Sequence, residues 1–256
     1  MKWSLNTYQT GQDWELDYMI DIVKKTGHHG IEFLMDFNQK HGLEWNTPCE
    51  KWDEVKKKME SAGLEFVSLT SCQVFHSPDE KERAQSVERV KRVIDMADFF
   101  GCKHVRVLGD GFNDKNRNEV VNNVGKCLGE LGIYAQKYGI AVSIEMHGSF
   151  TAPDPAMEAI GIANQPNVGV VFNCVWPDVT IDTVDTFHDR IAPHITMVHT
   201  HNAEDAKTFE FYRRMFDKLK KIGFKGYISN ESAYRGPDPE KVLALYVALF
   251  RVFAGE

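Results

Sequence analysis

The chain has 256 residues, of which 43% are hydrophobic and 26% are charged, and its formal net charge is -7. This composition is typical of a globular protein with a large core, and the acidic balance disfavours nucleic acid, because phosphate binding needs clustered Lys and Arg. The first residues, MKWSLNTYQT, lack the apolar stretch of a signal peptide, and no apolar run reaches membrane-spanning length. Five cysteines without a CxxC pair favour reduced thiols. We therefore expect a cytoplasmic protein without a nucleic-acid or membrane partner.

Eight short apolar runs follow one another along the chain, and longer stretches separate them. In order, the runs are WSLNTY, GIEFL, EFVSLT, HVRVLG, AVSIEMHG, VGVVFN, ITMVHTH and GYISNES. Such runs predict buried strands, whereas the stretches between them show helical spacing, most clearly at Val87, Val90, Val93, Ile94 and Ala97. Several predicted helices end at a glycine that can take the left-handed cap conformation, namely Gly27, Gly63, Gly101, Gly139 and Gly223.

This alternation of strand and helix predicts the fold class. Eight strand-then-helix units in 256 residues indicate an α/β protein, a (β/α)8 TIM barrel in which residues 1–256 form a single domain. An open doubly wound sheet is the second choice. Such a sheet would more often carry a glycine-rich phosphate loop after its first strand, and NTYQTGQDW does not match GxGxxG.

Polar side chains collect where the predicted strands end, which is the face that carries the active site in a parallel barrel. Glu32 lies in the second run, His76 follows the third, and Arg106 lies in the fourth. The last four runs end in Glu145 and His147, in Asn173, in His199 and His201, and in Glu231.

Two carboxylates, an imidazole and a carboxamide at one barrel mouth match the ligand shell of a divalent metal, such as Mn, Co, Mg or Zn. A single strand-end Glu is equally well explained as a salt-bridged rim carboxylate. However, Glu145, Asn173, His199 and Glu231 end four consecutive predicted strands. Decoration of the rim alone rarely produces that pattern, so we predict a metal site.

Four other histidines are not expected to take part in the site. A lone histidine is more often a hydrogen-bonded structural residue than a ligand, and we assign His104 and His188 to that class. His28 and His29 fall in a predicted helix-end turn, where we expect them to be solvated.

Three segments of the sequence also resemble known motifs. GIAVSIEMHG resembles a strand-five motif whose Glu binds metal, ITMVHTHN a strand-seven motif with a ligand His, and LKKIGFKGYISNES a final strand motif ending in Glu. The chain thereby resembles the xylose isomerase-like barrel superfamily, the sugar phosphate isomerase/epimerase group that also includes endonuclease IV. The resemblance covers nearly the whole chain and implies a metal bound by Glu145, Asn173, His199 and Glu231. It also implies a homo-oligomer.

Strand six departs from the family pattern, which usually has an Asp followed three residues later by a His. This chain has Asn173 and Trp176 at those positions. The implied ligand set therefore carries two negative charges rather than three, and a carboxamide oxygen is a weaker ligand for hard cations. We expect the divalent metal to bind weakly.

The leading functional hypothesis is a metal-dependent isomerase or epimerase acting on a small sugar or keto-sugar. Such chemistry removes a proton from a carbon beside a carbonyl and returns it elsewhere, through an enediolate. As the resemblance implies for epimerases, Glu145 and Glu231 would be the base and the acid. The candidates for substrate binding are His76, Arg106, His147, Trp176 and His201.

Two alternatives remain open from the sequence. The same site could serve a lyase or hydratase acting on a keto-sugar derivative, because a metal-held enolate suits that reaction equally well. The chain could also be a non-catalytic sugar-binding protein, in which Asn173 would bind the ligand by hydrogen bonds. An endonuclease IV-like nuclease is the least favoured, since its trinuclear site needs further His and Asp ligands that are not found here.

Overall fold

A computed structural model describes residues 1–173, 184–201, 206–234 and 236–256 of the protein. Eight parallel strands form a closed barrel in which each strand pairs with the next and β8 pairs with β1. The strands are β1 (Lys2–Asn6), β2 (Gly30–Leu34), β3 (Glu65–Thr70), β4 (His104–Val107), β5 (Ala141–Glu145), β6 (Val168–Asn173), β7 (Ile195–Thr200) and β8 (Tyr227–Asn230). The predicted TIM barrel and all eight predicted strands are confirmed.

Helices cover the outside of the barrel between successive strands. They are α1 (Leu16–Lys25), α2 (Trp52–Ala62), α3 (Glu80–Phe100), α4 (Arg117–Gln136), α5 (Pro153–Ala163), α6 (Val184–Ile191), α7 (Ala206–Lys221) and α8 (Pro239–Ala254). All five glycines predicted to follow helices have positive φ angles, between 64° and 82°. Within the described residues, no helix has the length and apolar character that a membrane crossing requires.

Alternate strand residues face opposite sides of the barrel wall. Val105, Val142, Ile144 and Phe172 belong to the apolar core between the strands and the helices. The other face points into the barrel, where branched apolar residues usually fill the space. Here the buried inward-facing residues are largely polar, namely Ser4, Asn6, Glu32, Ser68, Thr70, His104, Arg106, Ser143, Glu145, His199 and Ser229. The barrel interior is therefore suited to a hydrogen-bond network.

The structure tests the structural or solvated roles that we expected for four histidines, and it decides two of them clearly. His104 is buried inside the barrel, with Nδ1 3.0 Å from Ser68 Oγ and Nε2 2.9 Å from Ser143 Oγ, as expected of a structural histidine. The expectation that His28 is solvated is wrong. Its side chain folds inward beside Thr26 and is 5% exposed, and burial lowers its pKa to about 3.

We expect His104 to make the protein less stable in acid. Burial lowers its pKa to about 4 from 6.5, so the folded chain binds fewer protons than the unfolded chain between these pH values. Stability is therefore complete above pH 6.5 and falls as the pH drops to about 4, by about 3 kcal/mol for this group. Urea unfolding of the wild type and His104→Gln across this range measures the effect. The variant should show the shallower loss, and identical slopes would contradict the prediction.

A close approach of α4 to α5 depends on glycine. A Cβ atom at Gly125 would lie 2.6 Å from Cβ of Ile162 and 2.9 Å from the carbonyl oxygen of Ala159. We expect Gly125→Ala to lower the free energy of unfolding by about 1–3 kcal/mol, because α5 would have to shift.

Gly161 on α5 is the matched control for this substitution. A Cβ atom there would meet nothing within 4 Å. Because alanine favours the helix over glycine, Gly161→Ala should raise the free energy of unfolding by about 1 kcal/mol. Chemical denaturation of both variants tests the pair, and two shifts of the same sign would argue against a close helix contact at Gly125.

Candidate active site

The residues predicted from the strand ends meet at the carboxyl end of the barrel, around a cavity of about 260 Å³. Arg106, Glu145, His147 and Glu231 all line this cavity. Arg106 lies on β4 and Glu145 is the last residue of β5. His147 lies two residues after the end of β5, and Glu231 directly follows β8. The strand ends thus position four of the predicted residues around one space.

Glu145 is held from two sides. One carboxylate oxygen, Oε2, lies 2.8 Å from Nε of Arg106, and the other, Oε1, accepts a hydrogen bond of 2.5 Å from Nδ2 of Asn173. Burial would raise the pKa of Glu145, but the Arg106 guanidinium and His199 lower it well below its usual range. Glu145 is therefore ionised: Oε1 accepts a hydrogen bond, and Oε2 forms an ion pair with the guanidinium that lacks hydrogen-bond geometry.

His199 lies among three buried carboxylates. Its Nε2 atom is 3.0 Å from Oε1 of Glu32, and its Nδ1 atom is 3.1 Å from Oε2 of Glu231 and 3.6 Å from Oε1 of Glu145. Burial alone would lower the pKa of His199, yet these carboxylates raise it well above its usual value. A positive charge is thus strongly favoured between Glu145 and Glu231.

Asn173 and His201 form the wall beside this cluster. The amide oxygen of Asn173 lies 3.0 Å from Nε2 of His201, which also lies 3.3 Å from Oε2 of Glu231. Burial lowers the pKa of His201, so it is neutral near neutral pH. The amide group of Asn173 therefore connects Glu145 with His201. Its role as a metal ligand remains a prediction.

The remaining predicted substrate-binding residues lie farther out. His147 is about half exposed, and its Nδ1 atom lies 2.9 Å from Oδ1 of Asp110. This contact raises the pKa of His147 and lowers that of Asp110, to which nearby His76 also contributes. His76 is half-buried in the loop after β3. Trp176 lies outside the described residues, as does Asp178.

The sequence analysis missed six residues of the cavity wall, and three of them have side chains suited to contact a ligand. Asp110, Tyr8 and Phe37 line the cavity, and Phe37 is 68% exposed. Phe37 and Asp110 have left-handed backbones, with φ values of 76° and 84°. For non-glycine residues such angles are uncommon and cluster at functional sites. An Asp between two glycines after a strand, as in LGDG, was the only sequence signal for Asp110.

Three of the predicted metal ligands converge closely enough to share one ion. One donor atom from each of Glu145, His199 and Glu231 lies within 4.8 Å of the other two. By hydrogen-bond geometry, Nδ1 of His199 and Oε2 of Glu231 have no partner among the described residues, although both are buried. A cation between them would satisfy both atoms, so the residues present fit a metal.

Charge counting supports the same conclusion. The buried carboxylates of Glu32, Glu145 and Glu231 carry three negative charges, and the Arg106 guanidinium offsets one of them. The two charges that remain match one divalent cation when the His199 ring is neutral.

The family of this chain can be identified from its sequence as a whole. A family model described as a xylose isomerase-like TIM barrel matches residues 20–249. The chain belongs to the xylose isomerase-like TIM barrel family. Membership of this family was predicted from the motifs around Glu145, His199 and Glu231, and it is confirmed. Comparison with curated protein sequences finds no significant match.

Solved structures of this family share the fold at low sequence identity. D-psicose 3-epimerase in the presence of D-fructose has a TM-score of 0.80 at 14% identity, with 100% of each chain covered. The 3-keto-D-glucoside 4-epimerase YcjR of E. coli has a TM-score of 0.79 at 16% identity, covering 98% of this chain and 99% of its own. The IolI protein with a bound zinc atom has a TM-score of 0.77 at 17% identity, with 99% and 98% covered. Such identities establish the fold alone.

Proposed function

We propose that this protein is a divalent-metal-dependent isomerase or epimerase that acts on a small keto-sugar. The observation that carries this proposal is the convergence of Glu145, His199 and Glu231, whose donor atoms lie within 4.8 Å of one another beside the cavity. The cavity opens at the barrel mouth, where TIM-barrel enzymes carry their active sites.

Glu145, His199 and Glu231 would hold the cation, with Asn173 beside them. When bound, the cation would polarise a carbonyl and a neighbouring hydroxyl as a Lewis acid, which acidifies the proton on the carbon that bears the hydroxyl. The candidate cations are those of Mn, Mg, Co and Zn, and metal analysis would identify which one binds. The structurally similar IolI protein was solved with a bound zinc atom, which supports metal binding by this chain.

Proton transfer falls to the two glutamates, and their surroundings differ. Both oxygens of Glu145 are engaged by Arg106 and Asn173, which makes its carboxylate a weak base. Among the described residues, the ion-pair partners of the Glu231 carboxylate are His199 at 3.1 Å and His201 at 3.3 Å. We therefore assign the first proton abstraction to Glu231. In an isomerisation the protonated Glu231 would return this proton to the neighbouring carbon, whereas in an epimerisation Glu145 would take up a proton from solvent and donate it on the opposite face.

The outer wall of the cavity would bind the sugar. His147, which lines the cavity and contacts Asp110, and His201, which lies beside Glu231, would be hydrogen-bond partners for sugar hydroxyls. His76 and Trp176 remain candidates for the same task. Arg106 contributes chiefly by fixing Glu145, since its guanidinium also donates to the Ser71 carbonyl oxygen at 3.1 Å.

Proton exchange with solvent tests the proposal. The protein loaded with Mn²⁺ is incubated in D₂O with D-fructose, D-tagatose, L-ribulose and a 3-keto-D-glucoside, which are sugars of structurally similar epimerases or their close analogues. Exchange of a carbon-bound proton next to the carbonyl, with conversion to an isomer, is expected for at least one. Release of water or an aglycone would instead identify a lyase or hydratase. Sugar binding without exchange and without metal uptake would identify a non-catalytic binding protein.

A further inference from the structure

Glu32 lies directly beneath the proposed metal site but does not line the cavity. It is fully buried on β2, and its Oε1 atom accepts hydrogen bonds from two sides. Nε2 of His199 lies 3.0 Å away and the hydroxyl of Thr70 lies 2.6 Å away. Neither the family motifs nor the proposed proton transfers assign a role to this residue.

A local irregularity of the sheet aims Glu32 at His199. Along β2 and β3, Ile31 pairs with Phe66 but Glu32 pairs with Ser68, so Val67 is an extra residue on β3. Such bulges re-aim side chains and are common next to active sites. This one pairs Glu32 with Ser68, so that Thr70, two residues farther along β3, lies on the same inner face and its hydroxyl donates to the carboxylate.

The Glu32 carboxylate determines which nitrogen of His199 faces the metal site. The hydroxyl of Thr70 donates to Oε1 of Glu32 at 2.6 Å, so this oxygen is a hydrogen-bond acceptor. At 3.0 Å, Nε2 of His199 must therefore be protonated, because a ring lone pair facing the carboxylate would be repelled.

A chain of hydrogen bonds through the barrel holds Glu32 in turn. The hydroxyl of Thr70, which donates to Glu32 at 2.6 Å, also lies 3.4 Å from Oγ of Ser68. Ser68 lies 3.0 Å from Nδ1 of His104, whose Nε2 atom lies 2.9 Å from Ser143 and 3.0 Å from Thr196. These buried contacts hold the Thr70 hydroxyl beside the carboxylate of Glu32.

We propose that Glu32 is a positioning residue that fixes the His199 ring with Nε2 protonated, so that Nδ1 faces Glu145 and Glu231. The inference deepens the proposed function, because only this orientation presents a ring lone pair to a cation. A carboxylate that accepts from the outer nitrogen of a ligand histidine also fixes the ring in other metal sites. The orientation itself does not require that the metal binds.

Nuclear magnetic resonance of the protein with ¹⁵N-labelled histidine tests the orientation directly. The Nε2 proton of His199 should give a downfield signal that exchanges slowly with water, because it is buried and bonded to a carboxylate. In Glu32→Gln this signal should move upfield and exchange faster. The matched control is Glu44→Gln, which alters another buried glutamate that accepts from the Gln39 amide, and it should leave the signal unchanged. An unchanged signal in Glu32→Gln would overturn the proposal.

Calorimetric titration with Mn²⁺ separates this inference from the proposed function. Glu32→Gln should bind Mn²⁺ about 10–100-fold more weakly than the wild type, whereas Glu44→Gln should match the wild type. A wild type that binds no Mn²⁺ would overturn the proposed function, while the His199 signal still decides the role of Glu32. If Glu32→Gln fails to fold, Thr70→Val replaces it. An unaltered His199 signal in that variant would then overturn the proposal.

Discussion

Replacing Glu231 with Gln is expected to slow proton exchange on the keto-sugar by about 10²- to 10⁴-fold, which is the usual contribution of a general base. Glu231 lines the cavity and, among the described residues, forms ion pairs with His199 and His201 but with no arginine, so its carboxylate is the freer of the two candidate bases. The amide of Gln cannot take up the proton. The rate should be measured at saturating Mn²⁺, so that any loss of metal affinity does not enter the comparison.

Glu145→Gln provides the contrasting measurement. This substitution removes the partner of the buried Arg106 guanidinium, which lies 2.8 Å from Glu145. A buried charge left without its partner costs about 3–5 kcal/mol, so this variant should lose stability as well as activity. Glu231→Gln leaves the Arg106 ion pair intact and should unfold near the wild-type temperature. Full exchange activity in Glu231→Gln, with none in folded Glu145→Gln, would reverse the roles assigned to the two residues.

Asn173→Asp should have opposite effects in the absence and presence of metal. Without metal, the new carboxylate loses the hydrogen bond to Glu145 and repels it across the same 2.5 Å contact, so the free energy of unfolding should fall by about 3 kcal/mol. With metal, the added negative charge should tighten binding of Mn²⁺ about tenfold or more. Thermal unfolding with and without Mn²⁺, together with metal analysis of the purified protein, measures both effects.

Asn167→Asp is the control for this substitution. The amide nitrogen of Asn167 donates at 2.9 Å to the carbonyl oxygens of Gly132 and Ile140, away from the metal site. This variant should lose stability in the same way, but added Mn²⁺ should not restore it. If Asn173→Asp binds Mn²⁺ no more tightly than the wild type, Asn173 lies outside the ligand shell.

The barrel was predictable because its signals are local in the sequence. Each strand corresponds to a short apolar run in the sequence. Helix ends are marked by glycines such as Gly63 and Gly101, which adopt the left-handed conformation. Parallel strands then bring their carboxyl ends to one face. For this reason the positions of Glu145, His199 and Glu231 followed from strand order alone, before any contact between them was known.

The pairings within the site could not be predicted in the same way. The ion pair between Arg106 and Glu145 depends on side-chain rotamers in neighbouring strands, and sequence spacing does not encode them. The environment of Asn173 likewise depends on His201 and Glu145 approaching from β7 and β5. The orientation of the Glu32 side chain depends on a one-residue bulge in β3, and the apolar pattern of that strand does not indicate a bulge.

The left-handed backbone of Phe37 also bears on how this protein could be engineered. A non-glycine residue in that region costs about 1 kcal/mol or more, and here it presents an aromatic ring that is 68% exposed at the cavity rim. Glycine at this position would relieve the strain and remove the exposed apolar surface, but it would also take away one wall of the cavity. A search for thermostable variants that scores folding alone would select this change first. At the cavity rim, substitutions that raise stability are thus expected to lower activity.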